Sequence, residues 1–309
     1  MPVKTCKHAE QQWYYLHDFE ADDLLYLKKK FKFHALDLKD LSGGLQRSKI
    51  DVYRNYVFLV FQLPGEPMGK QANGREYSQE NQLFIFAGTD YVVTIAPGRN
   101  KLLNNLYSKV VNSPRLREEY FSQNGGYLLY KILDRLLSQA WSSVYVLDQP
   151  IREIEHSIDG DTQRPLVFDI ARLRRHVLRY KSILDPERLV IHSLTSLPPA
   201  LLGKDLHEYF DDIDDYIEKM WSVLQSYEQR ILTLHDINQS LISFQTNRVM
   251  KILTVFSVAL LPLTLFTGVY GMNITLPFDG HPYAIWSFFV TIALFIALTI
   301  FYLKKRDWI

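Results

Sequence analysis

The chain has 309 residues, 47% of them hydrophobic, which is long enough for two domains and too apolar for a disordered or collagen-like protein. Lys plus Arg number 35 against 34 Asp plus Glu, so the formal charge of +1 lacks the basic excess with which a nucleic-acid binder neutralises phosphates. A single cysteine, Cys6, can make neither an internal disulfide nor a cysteine-rich zinc site, and it points to a reducing compartment for the soluble part.

From about residue 13 to 97 the periods are mixed. DDLLYLKKKFKF and HALDLKDL predict short helices, while DVYRNYVFLVFQL and NQLFIFAGTDYVVTIA are the β-branched and aromatic runs of strands. Together they predict a small α/β domain. The stretch PGEPMGKQANGREYSQ between the strong strands suits an exposed hairpin loop and holds no phosphate-cradling glycine pattern. Beyond Pro97 the pattern turns helical. LLNNLYSKVV is followed by a long segment from about Gly126 to Ile158, a turn at DGDTQRP and a segment from about Leu166 to Leu194, which predict an antiparallel helical hairpin. Glu153, Glu155, His156, Asp159 and Asp161 at its tip could attract a divalent cation, but a solvated turn accounts for five charged residues without a ligand.

After the breakers Pro198, Pro199 and Gly203, Asp205 with Glu208 three residues on has the form of a capping box. No Gly or Pro then interrupts the chain until Pro262, so one helix of about 84 Å is predicted from Leu206 to Leu261. Ile213, Ile217, Met220, Leu224, Tyr227, Ile231 and Leu234 step along it by four and three, an apolar seam of the period used in supercoiled bundles. A second lane keeps the step and changes the chemistry: Asp236, Ser240, Ser243, Asn247, Met250, Thr254, Ser257, Leu261, Thr264, Gly268, Gly271. Two readings of it stand. Either these small and polar groups line a water-filled axis, or they serve close helix packing.

Ile252–Tyr270 and Tyr283–Leu303 carry no charge and reach about 28 and 32 Å as helices, the thickness of a bilayer core. Both read as membrane spans. Arg248 and Lys251 precede the first, Lys304, Lys305 and Arg306 follow the second, and the connector 271–282 has no Lys or Arg, which predicts that both termini are cytoplasmic. With no secretory signal at the start, roughly the first 250 residues are expected in the cytosol and the protein in the cell (inner) membrane. The expected division is 1–204 as an α/β domain with its hairpin, 205–251 as the cytosolic stalk, 252–270 and 283–303 as spans around the loop 271–282, and 304–309 as a basic tail. Two spans cannot enclose an axis, so a pore requires a symmetric homo-oligomer.

At the outer end of the long helix the sequence reads Tyr270-Gly271-Met272-Asn273, preceded by NRVMKILTVFSVALLPLTLFTGV and followed by a last apolar span ending in LKKRDWI. This arrangement, behind a charged-then-apolar helix and an α/β domain, resembles the CorA family of magnesium transporters over essentially the whole chain. The resemblance implies a funnel-shaped homopentamer of α+β and membrane architecture, with a cytosolic α/β domain, a stalk helix continuing into the first, pore-lining span and a second span outside it. It implies Mg2+ uptake, often with Co2+ and Ni2+, Mg2+ serving as substrate and regulatory ligand and no cofactor being needed.

Carried over by position, Gly271, Met272 and Asn273 fall on the family's selectivity motif, and Asn247, Met250, Leu253, Leu261 and Thr264 on its pore-lining positions. Ser257 and Gly268 join them through the lane. Asp236 falls where the family binds cytosolic Mg2+ between subunits and so favours the closed state. A ring of Asn273 amides suits a hydrated ion, because Mg2+ sheds its waters reluctantly. Gly271 permits the helix to end and turn, leaving carbonyls and a partial negative charge at the mouth. Met250 and Leu253 suit either apolar collars or ordinary helix packing.

Many relatives place a Glu in the loop after the motif, whereas ITLPFDGHP offers Asp279 with His281 beside it. An imidazole there keeps a Zn2+ transporter of the same superfamily as the alternative. A membrane-tethered enzyme or scaffold is the alternative of another class, but the sequence shows no HExxH, Walker A loop, GxGxxG or nucleophile elbow. The partners expected are other copies of the chain, membrane lipid and divalent cations, and no nucleic acid.

Overall fold

The computed structural model describes residues 3–17, 19–64, 81–97, 100–159, 166–202, 206–273 and 282–306. They form two compact units, Met1–Leu234 and His235–Ile309.

The first unit is built on a six-stranded sheet of β1 (Lys4–His8), β2 (Gln11–His17), β3 (Lys49–Val52), β4 (Val57–Leu63), β5 (Asn81–Ala87) and β6 (Tyr91–Ala96). Their order is β1-β2-β6-β5-β4-β3. Neighbours are antiparallel except β2 and β6, which run parallel. Helices cover both faces, which is why β4 reads as the nearly unbroken apolar run VFLVFQL: alternate side chains serve opposite cores. Phe58, Val60, Phe84 and Phe86 meet Leu27 of α1 (Ala21–Phe31) and Leu38 of α2 (Ala35–Leu41). Leu59, Phe61, Leu83 and Ile85 join the core formed with α3 (Lys101–Asn112), α5 (Gly125–Tyr145) and α7 (Val167–Thr195). Between these lie α4 (Pro114–Tyr120) and α6 (Asp148–Asp159), and α8 is the short Pro199–Leu202. The expected α/β domain is thus present, with β1 and the first two residues of β2 added in front of it.

Two close approaches fix α5 and α7 on the sheet. Gly125 N–H donates to the Thr89 carbonyl at 2.6 Å in the β5–β6 turn, and a Cβ at Gly125 would lie 2.0 Å from the Gly88 carbonyl oxygen, so only glycine fits. On α7, the fully buried Glu187 accepts hydrogen bonds from Ser48 Oγ and Gln62 N, both at 2.5 Å. β3 pairs with β4 only as far as Lys49 opposite Val60, so Glu187 satisfies an N–H that the ladder leaves open.

The expected helix from Gly126 to Ile158 is in fact two helices, interrupted at Val146 and Leu147. Pro150 is the cause. It has no N–H for the Val146 carbonyl, so the ladder fails there and Pro150 sits in the first turn of a new helix, where it is tolerated. The turn DGDTQRP falls largely outside the described residues, as do Asp205 and the loop after β4.

The last two helices are α9 (His207–Tyr270) and α10 (Pro282–Lys305). α9 begins one residue after the predicted start and continues past Leu261 with Pro262 in its interior. Every residue of the predicted seam, Ile213 through Leu234, is buried. Polar pairs flank it: Lys181 and Arg188 of α7 meet Glu228 and Glu218 of α9 at 2.5 and 2.6 Å, and both cations lie 4.7 Å from the Trp221 ring. The descending and ascending numbers of these partners make α7 and α9 antiparallel.

In the second unit α9 and α10 meet through Phe266, which stacks on Phe288 at 4.3 Å and approaches Phe289 edge-on at 4.9 Å. Half-buried positions continue from that contact at helical spacing, Leu263, Ala259 and Val255 on α9 and Ile292, Ile296, Thr299 and Leu303 on α10. The two helices therefore run antiparallel along their apolar length.

Candidate functional site

The polar lane begins immediately after the seam ends at Leu234. Asp236, Ser240, Ser243, Asn247, Met250, Thr254, Ser257, Leu261, Thr264 and Gly268 are all exposed in the single chain, and so is Leu253. Exposure alone does not single the lane out, because all faces of α9 are exposed from Gln239 to Thr254. Chemistry does. Along this stretch the exposed apolar residues Leu241, Phe244, Val249 and Phe256 lie off the lane, while the lane itself is small or polar at most positions.

Hydroxyls of Ser240, Thr254, Ser257 and Thr264 donate to the carbonyls of Asp236, Met250, Leu253 and Leu260 at 2.8 to 3.0 Å. A hydroxyl bonded to its own helix needs no water to satisfy its proton, so these residues are compatible with either reading of the lane. The amides are different. Asn247 and Asn273 each carry two donors and an acceptor with two lone pairs, more than one backbone carbonyl can satisfy.

At the top of α9, Gly271 N–H donates to the Thr267 carbonyl at 2.9 Å and Met272 N–H to Val269 at 3.2 Å, closing the final turn. Gly271 does not take a left-handed φ. A Cβ there would lie 3.0 Å from the Thr267 oxygen, so its contribution is a close approach rather than a reversal of the backbone. At Gly268 an added Cβ would meet nothing within 4 Å. Gly271, Met272 and Asn273 are exposed, and Asp279 and His281 lie outside the described residues.

Among the described residues no group of three or more His, Cys, Asp or Glu could hold a metal ion. Asp236 thus has no ligand set among the described residues of its own chain. At the hairpin tip Glu155 is committed to an ion pair: it accepts from Arg230 of α9 at 2.9 and 2.8 Å, and nearby Asp148 accepts from Arg230 at 2.7 Å and Arg152 at 2.6 Å. The Arg230 hydrogen bonds hold both carboxyls below their usual range. Glu153 accepts from Gln149 at 3.1 Å, while the side chain of Asp159, and Asp161, lie outside the description. In the acidic run, Asp211 stands 3.3 Å from His207 and Asp214 3.2 Å from His192. The Arg230 clamp was not foreseen from sequence, because Asp148 and Arg230 are 82 residues apart.

Two helices, α9 and the part of α10 from Trp286, are long and apolar enough to cross a membrane, and their apolar windows are not buried within the chain. The model of the family described as CorA-like Mg2+ transporter protein matches residues 9–305. The chain belongs to that family. CorA-family proteins are membrane transporters of divalent metal ions rather than enzymes, and Mg2+ is the family's substrate. Among relatives, YfjQ of Bacillus subtilis (strain 168) is 28% identical over 308 residues, covering 97% of this chain and 90% of that protein. The cobalt/magnesium transport protein CorA of Thermotoga maritima is 25% identical over 285 residues, covering 90% and 78%. The complete structure of the CorA magnesium transporter from Methanocaldococcus jannaschii matches the fold with a TM-score of 0.77 at 21% identity, over 98% of this chain and 93% of that one. The CorA full-length fold, a soluble α/β domain followed by long helices with two apolar helices at the C-terminus, is therefore the fold of this chain.

Proposed function

We propose that five copies of this chain form a channel-like Mg2+ uptake system that also carries Co2+ and Ni2+. The observation that carries this reading is the single helix His207–Tyr270, on which a buried apolar seam gives way to an exposed polar lane ending at Gly271-Met272-Asn273. The seam belongs to the chain's own core and leaves the lane free for other copies. Five lanes around an axis would then supply what two spans cannot, a wall of neutral oxygens past which a hydrated cation moves.

In this reading 1–204 and the stalk 205–251 are cytosolic, 252–270 and 283–303 cross the membrane, 271–282 is the external loop with Asp279 near its mouth, and 304–309 returns to the cytosol. Asn273 contacts the hydrated ion. Asn247, Met250, Leu253, Ser257, Leu261, Thr264 and Gly268 line the path, with Met250 and Leu253 as apolar collars. Asp236 binds regulatory Mg2+ between neighbouring chains, consistent with the lack of a ligand set in one chain among the described residues. A divalent ion drawn through 100 mV gains about 4.6 kcal/mol, so no other energy source is required.

Flux of Mg2+, Co2+ and Zn2+ into liposomes holding the purified protein, with and without a proton gradient, tests the reading. Mg2+ and Co2+ influx that follows membrane potential and ignores the proton gradient is expected. Zn2+ influx exceeding both and following the proton gradient would assign the chain to Zn2+ transport, and no flux of any would favour a tether.

A further inference from the structure

The cytosolic ends of the apolar stretches of α9 and α10 bring basic residues from distant parts of the sequence to one level. Measured along each helix from the Phe266–Phe288 contact, Lys251 and Arg248 lie about 22 and 27 Å away, and Lys304 and Arg306 about 24 and 27 Å away on the antiparallel partner. Arg248, Lys251, Lys304, Lys305 and Arg306 are exposed there. Arg306 follows directly on α10, its N–H bonded to the Tyr302 and Leu303 carbonyls at 3.2 Å and its guanidinium 5.5 Å from the Tyr302 ring.

No Asp or Glu occurs between Asp236 and Asp279 or between Asp279 and Asp307. Asp307 brings one negative charge against Arg248, Lys304, Lys305 and Arg306, Lys251 has an interaction of its own, and Asp236 lies about three turns below Arg248, beyond a Debye length of about 10 Å. The antiparallel pair thus carries like charges at one level, an arrangement that a counter-anion relieves. At that depth of a bilayer the anion available is a headgroup phosphate, which guanidinium and ammonium groups bind by charge-assisted hydrogen bonds. Tyr302 adds the amphipathic ring found at such interfaces.

We propose that this level of the α9–α10 pair is a binding site for anionic phospholipid headgroups of the cytoplasmic leaflet. It rests on the reading of both helices as membrane spans with these ends in the cytosol. The full-length protein, purified in detergent, would be exchanged into micelles of detergent with equimolar phosphatidylglycerol and phosphatidylcholine, and the lipid it retains quantified by mass spectrometry. Phosphatidylglycerol is expected to be enriched at least about threefold. The enrichment should vanish in K304Q/K305Q/R306Q and persist in K304R/K305R. Should the triple variant fail to assemble, R248Q alone is expected to lower the ratio about twofold. Equal retention of both lipids by the wild type, or an unchanged ratio in these neutral variants, would overturn the proposal. So would loss of the phosphatidylglycerol to millimolar glycerol phosphate at constant ionic strength, which would assign the site to soluble phosphoesters. Retention in detergent is independent of flux and insertion direction, so its failure and that of the transport reading are separable.

Discussion

Glu187 shows how far a single residue can depart from what its neighbours in sequence suggest. It stands on the buried stripe of α7, three residues after Leu184 and three before Val190, with Oε1 accepting from Ser48 and Gln62, while Oε2 has no hydrogen-bond partner among the described residues. Burial drives its carboxyl well above the usual range. Unfolded, the same group ionises near about 4.3. Between that value and the raised folded one the native state holds the extra proton, so stability falls as pH rises through the window. Glu187→Gln is expected to flatten this decline, narrowing or reversing any deficit at pH 8 relative to pH 5. Thermal unfolding of the detergent-solubilised protein at both pH values checks it, and parallel pH profiles would contradict it. Glu187→Ala, which strands Ser48 and Gln62, should cost about 2 kcal/mol or more at either pH. Its partners were not legible in sequence, because Ser48 is 139 residues away.

At the scale of elements, α9 was the most legible part of the chain. Its seam keeps one period from Ile213 to Leu234, and periodicity reports burial directly when a helix has one apolar face. Leu224, with no exposed surface, should lose about 2–5 kcal/mol on truncation to Ala, read as a lowered unfolding midpoint of the soluble unit. Truncating Phe244, exposed on the same helix, should change that midpoint little. Other elements were concealed by their own chemistry. β1, KTCKH, is an edge strand with one buried residue, Cys6, and carries too little apolar pattern to announce itself. The break at Val146 depends on Pro150, which permits either a kinked helix or a new one. The lane sits between these extremes: its spacing was plain, but the self-bonded hydroxyls that make it compatible with either environment are a three-dimensional fact.

For the whole molecule, the proposed pentamer links Asp236 to the collars at Met250 and Leu253. In that assembly copies of Asp236 facing an axis would repel one another unless a cation bridged them, and Mg2+ would then favour the arrangement in which the collars are shut. Asp236→Ala is expected to raise basal Mg2+ influx and weaken its inhibition by internal Mg2+. Unchanged inhibition across an internal titration at fixed voltage would move the sensor elsewhere, with Asp211, Asp212, Asp214 and Asp215 as the next acids to vary. The most direct test of the account as a whole lies at the other end of α9. Mg2+ influx into liposomes at a fixed inside-negative potential should be abolished, or lose its divalent selectivity, in Asn273→Ala while the detergent-corrected mass stays that of the wild-type oligomer. Wild-type Mg2+ influx and selectivity in that variant would contradict it.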